Sequence, residues 1–148
     1  MNDSNAQQDI KAVITAWANA LWDKNAKAVI GLCAPEFVSY SLAPPLVSTG
    51  RGEKGLNDWF ATWTSPIEHE HRDLKIHASG DVGYSHGLSR MTGTKVDGEQ
   101  VDFWYRQTFG FRKVGDTWKM HHEHSSVPFK MDGSLKAAVD LKPNSAKD

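Results

Sequence analysis

Three short turn signals divide the second half of the chain into segments of similar length. They are Ser79–Gly80–Asp81, Val96–Asp97–Gly98–Glu99 and Val114–Gly115–Asp116, and each sets a glycine beside an aspartate, as tight hairpins prefer. Consecutive strands joined by such hairpins form an antiparallel meander. The segments between the turns are rich in β-branched and aromatic residues and predict strands at Ile67–Ala78, Val82–Lys95, Val101–Lys113 and Trp118–Val127.

The first half of the chain has helical spacing instead. A second helix is expected from Ala26 to Cys33, ending near Pro35, and a third ends before Pro66. Helices followed by a meander predict one α+β domain over residues 1–148, with helices packed on one face of a curved sheet and residues 1–7 and 144–148 flexible. The first helix, with Ser4 as its expected N-cap, carries the stripe Ile10, Val13, Ile14, Trp17 and Leu21, and the third carries Leu56, Trp59, Phe60 and Trp63.

Charge and composition narrow the classes of partner. The formal net charge is -1 and the basic residues are scattered, so neither a nucleic acid nor a membrane surface is an expected partner. The single cysteine, Cys33, cannot form an internal disulfide, and the N-terminal residues show no signal-peptide pattern. These features predict a cytoplasmic protein whose partners are small molecules or copies of itself.

The strand Val101–Lys113 has bulky side chains on both faces. Phe103, Tyr105 and Phe109 lie on one face, whereas Trp104 and Arg106 lie on the other. The helices can cover only one of these faces, so the other is expected to meet a second subunit in a homodimer.

Several segments together resemble a known family. They are Tyr40–Trp63, Ser79–Gly87, Asp97–Phe129 and Leu135–Pro143, and their most specific elements are Arg106 with Thr108 and the ending His122, His124 and Ser126. The chain resembles SnoaL-like proteins of the ketosteroid-isomerase-like, nuclear-transport-factor-two-like superfamily from about residue 8 to residue 143.

The resemblance implies a cone-like fold in which a strongly curved, mostly antiparallel sheet encloses a pocket, usually in homodimers. It does not imply one function, because the superfamily includes isomerases, dehydratases, cyclases, oligomerisation hubs and transport adaptors. Steroid isomerases carry a general-base aspartate on the first strand, where this chain has Tyr40 and Ser41 and no carboxylate, so that mechanism is not expected. His86 stands where some relatives place a pocket arginine and is therefore a candidate ligand-binding residue.

The last strand, Trp118–Val127, concentrates histidines in two sets. Simple alternation puts Trp118, Met120, His122 and His124 on one face and His121, Glu123 and Ser125 on the other. Counting apolar groups favours the first set as the buried one, whereas the resemblance implies that the second set lines the pocket and the first meets the partner subunit. The prediction follows the resemblance.

A metal site is the alternative use of these histidines. His69 with His71, and His122 with His124, are pairs two residues apart on strands, as zinc or iron ligands can be. Two strands of the meander should separate the pairs by roughly 14 Å, which disfavours one shared site. No metal is therefore predicted, and His69 and His71 are expected to be exposed on an edge strand.

The predicted function is small-molecule binding, with isomerase, cyclase or dehydratase chemistry on a carbonyl-containing, aromatic or polyketide-like substrate and no metal or organic cofactor. The alternative is a non-catalytic dimerisation or ligand-sensing module, in which the polar residues of the last strand merely pair locally. The predicted catalytic residues are His121, Glu123 and Tyr40, with Glu123 orienting the imidazole. The predicted ligand-binding residues are Trp59, Trp63, His86, Tyr105, Gln107, Phe109 and Ser125.

Overall fold

A six-stranded sheet forms the frame of the structure, which is a computed structural model that describes residues 3–144. The helices of this described part are α1 (Ser4–Trp22), α2 (Ala26–Gly31) and α3 (Glu53–Phe60). The strands are β1 (Cys33–Tyr40), β2 (Ser48–Thr49), β3 (Glu68–Ser79), β4 (Val82–Thr94), β5 (Gln100–Val114) and β6 (Thr117–Ser126). Residues 1, 2 and 145–148, part of the termini predicted to be flexible, lie outside the described residues.

The sheet order is β2-β1-β6-β5-β4-β3. Strands β3 to β6 form the antiparallel meander that the turn signals predict, whereas β1 runs parallel to β6 and antiparallel to β2. Two of the turns place Gly80 and Gly115 at φ 61° and 63°, in the left-handed region that glycine adopts without strain. The predicted α+β class, with helices packed on a mostly antiparallel sheet, is confirmed.

The N-cap of helix α1 lies one residue earlier than predicted. Asp3, not Ser4, is the N-cap, and its carboxylate accepts hydrogen bonds from the backbone N–H groups of Asn5 (3.0 Å) and Ala6 (3.1 Å). The Asp3 N–H also donates to the Ala78 carbonyl, which ties the start of the helix to the end of β3. Residues 4–7 are therefore helical in the structure, and the flexibility of the termini stays a prediction.

Helix α2 is shorter than predicted. It ends at Gly31, and Cys33 already belongs to β1, pairing with Met120. Pro35 lies inside β1, where the pairing with β6 is irregular between Cys33 and Val38. A proline supplies no N–H to a strand ladder, so it is tolerated at such an irregularity.

The core lies between α1 and one face of the sheet, called the inner face below. Trp17 of α1 meets the Phe109 ring edge-on, with centroids 5.3 Å apart. Phe37 of β1 and Phe111 of β5 are at most 2% exposed on the same side. The opposite face, called the outer face, carries exposed side chains such as Tyr84.

A β-bulge changes the alternation of β6. Phe111 pairs with Met120, but the preceding residue of β5, Gly110, pairs with His122. His121 is therefore an extra residue on β6. The bulge reverses the side-chain parity at this point. Met120 and Glu123 are consequently both buried on the inner face, which simple alternation does not allow.

Candidate functional site

A cluster of buried polar side chains lies on the inner face where β5 and β6 pair. Gln107, Glu123 and Ser125 are 4%, 6% and 5% exposed. The Ser125 hydroxyl donates to Glu123 Oε1 at 2.9 Å, and Gln107 Nε2 lies 3.3 Å from Ser125 Oγ and 3.5 Å from Glu123 Oε1. A carboxylate that is buried needs such donors, because burial without them is costly.

The cluster continues across the sheet to β4 and β3. Ser89 of β4 donates to Gln107 Oε1 at 2.8 Å, and His71 Nδ1 of β3 lies 3.1 Å from Ser89 Oγ. Since Ser89 pairs with His71 on one side and with Tyr105 on the other, the register of the meander places these groups side by side. One hydrogen-bonded chain therefore runs from β6 to the edge strand β3, and we call it the polar chain: Glu123, Ser125, Gln107, Ser89 and His71.

Arg51 completes the carboxylate end of the polar chain. It stands in the loop between β2 and α3, and its Nη2 donates to Glu123 Oε2 at 2.6 Å. Its guanidinium also lies over the Phe37 ring, 5.0 Å from the centroid, as cation–π contacts require. Sequence reasoning missed Arg51. The available signal was a charged residue between two glycines, Gly50 and Gly52.

Two histidines of β3 lie at the other end. The His69 ring meets Trp17 at a centroid distance of 4.8 Å and Tyr105 at 6.5 Å. Both ring nitrogens of His69, and Nε2 of His71, are buried and have no hydrogen-bond partner among the described residues. Strand β3 is an edge strand as expected, but the expectation that these histidines are exposed is wrong, because their side chains alternate with exposed Glu68 and Glu70 and point under α1.

Burial also sets the charge state of these groups. It lowers the pKa of His69 to about 3, and the neighbouring His71 adds to the effect. Burial likewise lowers the pKa of His71. The pKa of Tyr105 is raised, first by burial and then by the Glu123 carboxylate. At neutral pH the site therefore presents two neutral imidazoles and a neutral phenol beside one paired carboxylate.

Five of the predicted site residues come together on the inner face. Tyr105, Gln107, Phe109, Glu123 and Ser125 are all buried there, at the polar chain or beside it. Their role as ligand-binding residues stays a prediction.

His121 does not join them. As the extra residue of the bulge, it has a side chain 43% exposed whose Nδ1 lies 3.5 Å from Glu36 Oε1. The prediction that His121 and Glu123 share a face and act as a pair is wrong, because it assumes an unbroken alternation along β6. The histidine that is connected to Glu123 is His71.

His86 and Tyr40 lie on the outer face. His86 is exposed and stacks with Tyr84 and His77, at centroid distances of 6.3 Å and 6.2 Å. Tyr40 is 42% exposed and meets His122 edge-on at 4.8 Å. The prediction that His86 and Tyr40 lie on the same face as the other site residues is wrong, because the side chains that point inward on their strands belong to the neighbouring positions.

Tyr40 also lines a groove of about 750 Å³ beside the loop 41–46. His124 and Val127 form part of its other wall. Ser125 borders this groove and belongs to the polar chain as well, so the groove adjoins the carboxylate end of the chain.

The two tryptophans that were predicted to bind a ligand, Trp59 and Trp63, pack against each other. Trp63 is 4% exposed, and Lys95 Nζ lies 4.0 Å from the centroid of its ring. Trp59 is half-buried and meets Trp63 edge-on at 5.7 Å. Among residues 3–144, no recorded hydrogen bond or ring contact links either tryptophan to the polar chain. Their assignment as ligand-binding residues stays a prediction.

The histidine pairs of β3 and β6 lie on opposite faces. His69 and His71 point inward, whereas His122 and His124 point outward and meet Tyr40. Within residues 3–144, no three histidine, cysteine or acidic side chains are arranged to hold a metal ion. The same part of the chain contains no helix that is long and apolar enough to cross a membrane.

Comparison with known proteins identifies the fold and the family. Among solved structures, an NTF2-like protein of unknown function from Pseudomonas putida KT2440 is 30% identical, with a TM-score of 0.86 over 97% of this chain and 100% of that chain. An NTF2-like superfamily protein from Salmonella enterica is 17% identical, with a TM-score of 0.75 over 88% and 96% of the two chains. The association domain of CaMKII from C. elegans is 16% identical, with a TM-score of 0.66 over 84% and 97%.

These likenesses confirm the cone-like fold that the sequence resemblance implies. No curated protein matches the sequence significantly. The family model described as a SnoaL-like domain matches residues 10–130, which include every residue of the polar chain. The chain belongs to the SnoaL-like domain family, within the NTF2-like superfamily of folds.

Proposed function

We propose that the protein binds a small aromatic or polyketide-like carbonyl compound between α1 and the inner face. In this proposal His71 removes a proton from the compound, and His69 donates a hydrogen bond to its carbonyl oxygen. The observation that carries this proposal is that buried imidazole nitrogens of His69 and His71 have no hydrogen-bond partner within residues 3–144. Buried polar groups are nearly always hydrogen-bonded, so a ligand that pairs with these nitrogens gains what the protein does not supply.

The surroundings of the two imidazoles favour a flat, apolar ligand body. Trp17, Tyr105 and Phe109 are buried aromatic residues that contact one another or His69 through their ring edges. Binding sites for small molecules are usually of this type, with apolar and aromatic walls and a few polar groups that fix orientation. Charged sugars or phosphates are less suited to the site, because the Arg51 cation at the end of the polar chain already pairs with Glu123.

The charge state of the imidazoles supports proton transfer. A neutral imidazole has one nitrogen that accepts a proton and one that donates a hydrogen bond. With His71 as base, the carbon next to the ligand carbonyl gives its proton to the imidazole nitrogen. The electron pair of the C–H bond forms a C=C bond, and the π pair of the carbonyl moves to the oxygen, to which the N–H of His69 donates. In an isomerisation the imidazolium returns the proton to another carbon of the enolate. In a dehydration the enolate expels a hydroxyl group from the β-carbon, and this group takes the proton from the imidazolium and leaves as water.

Hydrogen exchange on a simple aromatic ketone tests this step. 1-Tetralone in D₂O should exchange its α-hydrogens faster with the wild-type protein, as followed by ¹H NMR. His71→Gln should lose at least tenfold of this acceleration, and the control His121→Gln should keep it. Equal acceleration by wild type and His71→Gln contradicts the assignment of the base, and native mass spectrometry that finds only polar co-purifying compounds contradicts the ligand class.

The outer face supports a second proposal, a homodimer. Its aromatic residues are exposed, with Tyr84 49% exposed and stacked on His77 at 5.0 Å, and Val82 64% exposed at the same end of β4. Contiguous exposed apolar surface of this type is characteristic of contacts between proteins. A second copy placed on this face would cover it without touching the polar chain.

The alternative function, a non-catalytic dimerisation module, can be tested with the same measurements. If 1-tetralone neither binds nor exchanges, and light scattering still gives the mass of a dimer, then the protein is a dimerisation module whose interior only maintains the fold. Binding and exchange that are lost in His71→Gln, with the dimer intact, favour the enzyme.

A further inference from the structure

The direction of each hydrogen bond in the polar chain follows from its carboxylate end. A carboxylate only accepts, so the Ser125 O–H and the Gln107 N–H groups must point toward Glu123. The Gln107 amide is thereby oriented with Nε2 toward β6. Its other end, Oε1, necessarily faces Ser89.

The orientation of Gln107 determines the role of Ser89. Oε1 is only an acceptor, and Ser89 Oγ lies 2.8 Å from it, so the single hydroxyl hydrogen of Ser89 is used in that bond. Only lone pairs of Ser89 Oγ remain for His71 Nδ1, at 3.1 Å. His71 must therefore donate from Nδ1.

We propose that Glu123, Gln107 and Ser89 are positioning residues that hold His71 as the tautomer with hydrogen on Nδ1, and so present its bare Nε2 to the ligand. In a neutral imidazole one nitrogen donates and the other accepts, so Nε2 is the acceptor. Nε2 is also the buried nitrogen of His71 for which the described part of the chain offers no hydrogen-bond partner.

The same arrangement raises the basicity of Nε2 and so opposes the lowering of the His71 pKa by burial. Each hydrogen bond in the sequence His71, Ser89, Gln107 and Glu123 donates toward the negative charge, and aligned bonds of this type polarise one another. Burial keeps the carboxylate and the imidazole away from water, and Arg51 pairs with the carboxylate at 2.6 Å.

This tautomer specifies which chemical group of the ligand can contact His71. This part of the inference rests on the proposed function. An O–H, an N–H or an acidic C–H can donate to a bare nitrogen, whereas a carboxylate or a carbonyl oxygen cannot. The matching class is a phenol, an enol or a ketone with acidic α-hydrogens. A carboxylate ligand would place two acceptors against each other.

The ¹⁵N chemical shifts of the imidazole nitrogens test the tautomer without any ligand. In ¹⁵N-labelled protein at pH 7, long-range ¹H–¹⁵N correlation should show His71 with a protonated Nδ1 and a bare Nε2. Ser89→Ala removes the acceptor for Nδ1–H, and Gln107→Leu removes the group that orients Ser89, so both variants should shift His71 toward the other tautomer or a mixture. Two variants are used so that misfolding of one leaves the test intact.

Ser85→Ala is the matched control. Ser85 is 0% exposed, lies on the inner face of the same strand, and its hydroxyl has no hydrogen-bond partner among the described residues. This variant removes an equally buried hydroxyl and should leave the tautomer unchanged. A wild-type His71 that carries its hydrogen on Nε2, or a tautomer that both Ser89→Ala and Gln107→Leu leave unchanged, overturns the inference.

The chemical group of the ligand that contacts His71 is tested separately with two probes, 2-naphthol and 2-naphthoate. Addition of 2-naphthol should move the Nε2 resonance of His71 in the wild type, and 2-naphthoate should not. A response to naphthoate alone overturns the assignment of the ligand group. If neither probe binds while the tautomer is as stated, the proposed function fails and the positioning role of the polar chain stands.

Discussion

Arg51 and Glu123 form a 2.6 Å ion pair although they are 72 positions apart in the chain. Arg51 comes from the loop before α3 and Glu123 from the inner face of β6, with side chains 23% and 8% exposed. The pair therefore fastens this loop to the sheet at the end of the polar chain.

Removal of the Arg51 charge should destabilise the protein strongly. Arg51→Met leaves the Glu123 carboxylate buried without its cation, which should lower the free energy of unfolding by about 3 kcal/mol in urea denaturation. The double variant Arg51→Met with Glu123→Gln should recover part of the loss, because no unpaired charge remains. The control is Lys54→Met, which breaks an ion pair with Asp58 whose side chains are 90% and 65% exposed. An Arg51→Met loss no larger than that of Lys54→Met would show that the pair is not structurally important.

The stability of the protein should fall as pH drops below about 6.5. The pKa of His69 is lowered from 6.5 to about 3 by burial and by His71, so between these values the unfolded state binds a proton that the folded state refuses. The free energy of unfolding therefore decreases toward acid, by up to about 1.4 kcal/mol per pH unit for this group. Urea denaturation between pH 6.5 and 5 should show a smaller slope in His69→Leu than in the wild type.

The control for this slope is the pH range above 6.5. Between pH 7.5 and 8.5 an imidazole with the ordinary pKa of 6.5 is neutral in the unfolded state, and burial keeps His69 neutral in the folded state, so His69→Leu and the wild type should have equal slopes there. The slope would be misassigned if His69→Leu reduced it equally in both pH ranges.

A methyl group at Gly93 should disturb the packing of Trp63. A Cβ at this position would lie 2.7 Å from Trp63 Cζ3 and 3.1 Å from the Pro66 carbonyl oxygen. Gly93→Ala should therefore cost about 1–3 kcal/mol, measured by denaturation with Trp fluorescence as the probe. The control Gly55→Ala, in α3, has no atom within 4 Å of the new Cβ and should instead stabilise by about 0.5–1 kcal/mol. Equal effects of the two substitutions would contradict the close packing at Gly93.

A charge on the outer face should prevent the proposed homodimer. Tyr84→Arg places a cation within the stack of Tyr84, His77 and His86, so size-exclusion chromatography with light scattering should give a monomer mass where the wild type gives a dimer. The control Val96→Arg changes a residue that is 61% exposed in the turn between β4 and β5 and should remain a dimer. A wild-type protein that is monomeric at high micromolar concentration would exclude this interface.

Periodicity was enough to predict the main elements of the fold. The stripe through Ile10 and Trp17 and the Gly–Asp turn signals are local features, and they led to α1 and to a meander with nearly the observed strand bounds. Gln107 is buried on the same face as Tyr105 and Phe109, as alternation along β5 predicts, whereas Ser125 was assigned to its face by the family resemblance.

The residues that were misplaced depend on features with little local signal. The bulge at His121 moves that residue away from Glu123, and a bulge is set by how two strands pair. Arg51 reaches Glu123 only because the loop after β2 folds back over the sheet. His69 and His71 look like the polar residues of an exposed edge strand until α1 is seen to cover them.

The sequence by itself therefore determined the order and type of the elements, and the family, since hydrophobic period and turn chemistry act over a few neighbouring residues. The tertiary structure alone decided the membership of the site. Strand register, the bulge, the cover by α1 and the loop that carries Arg51 join residues that are far apart in the chain, such as Arg51 and Glu123, which are 72 positions apart. Burial then makes His69 and His71 neutral.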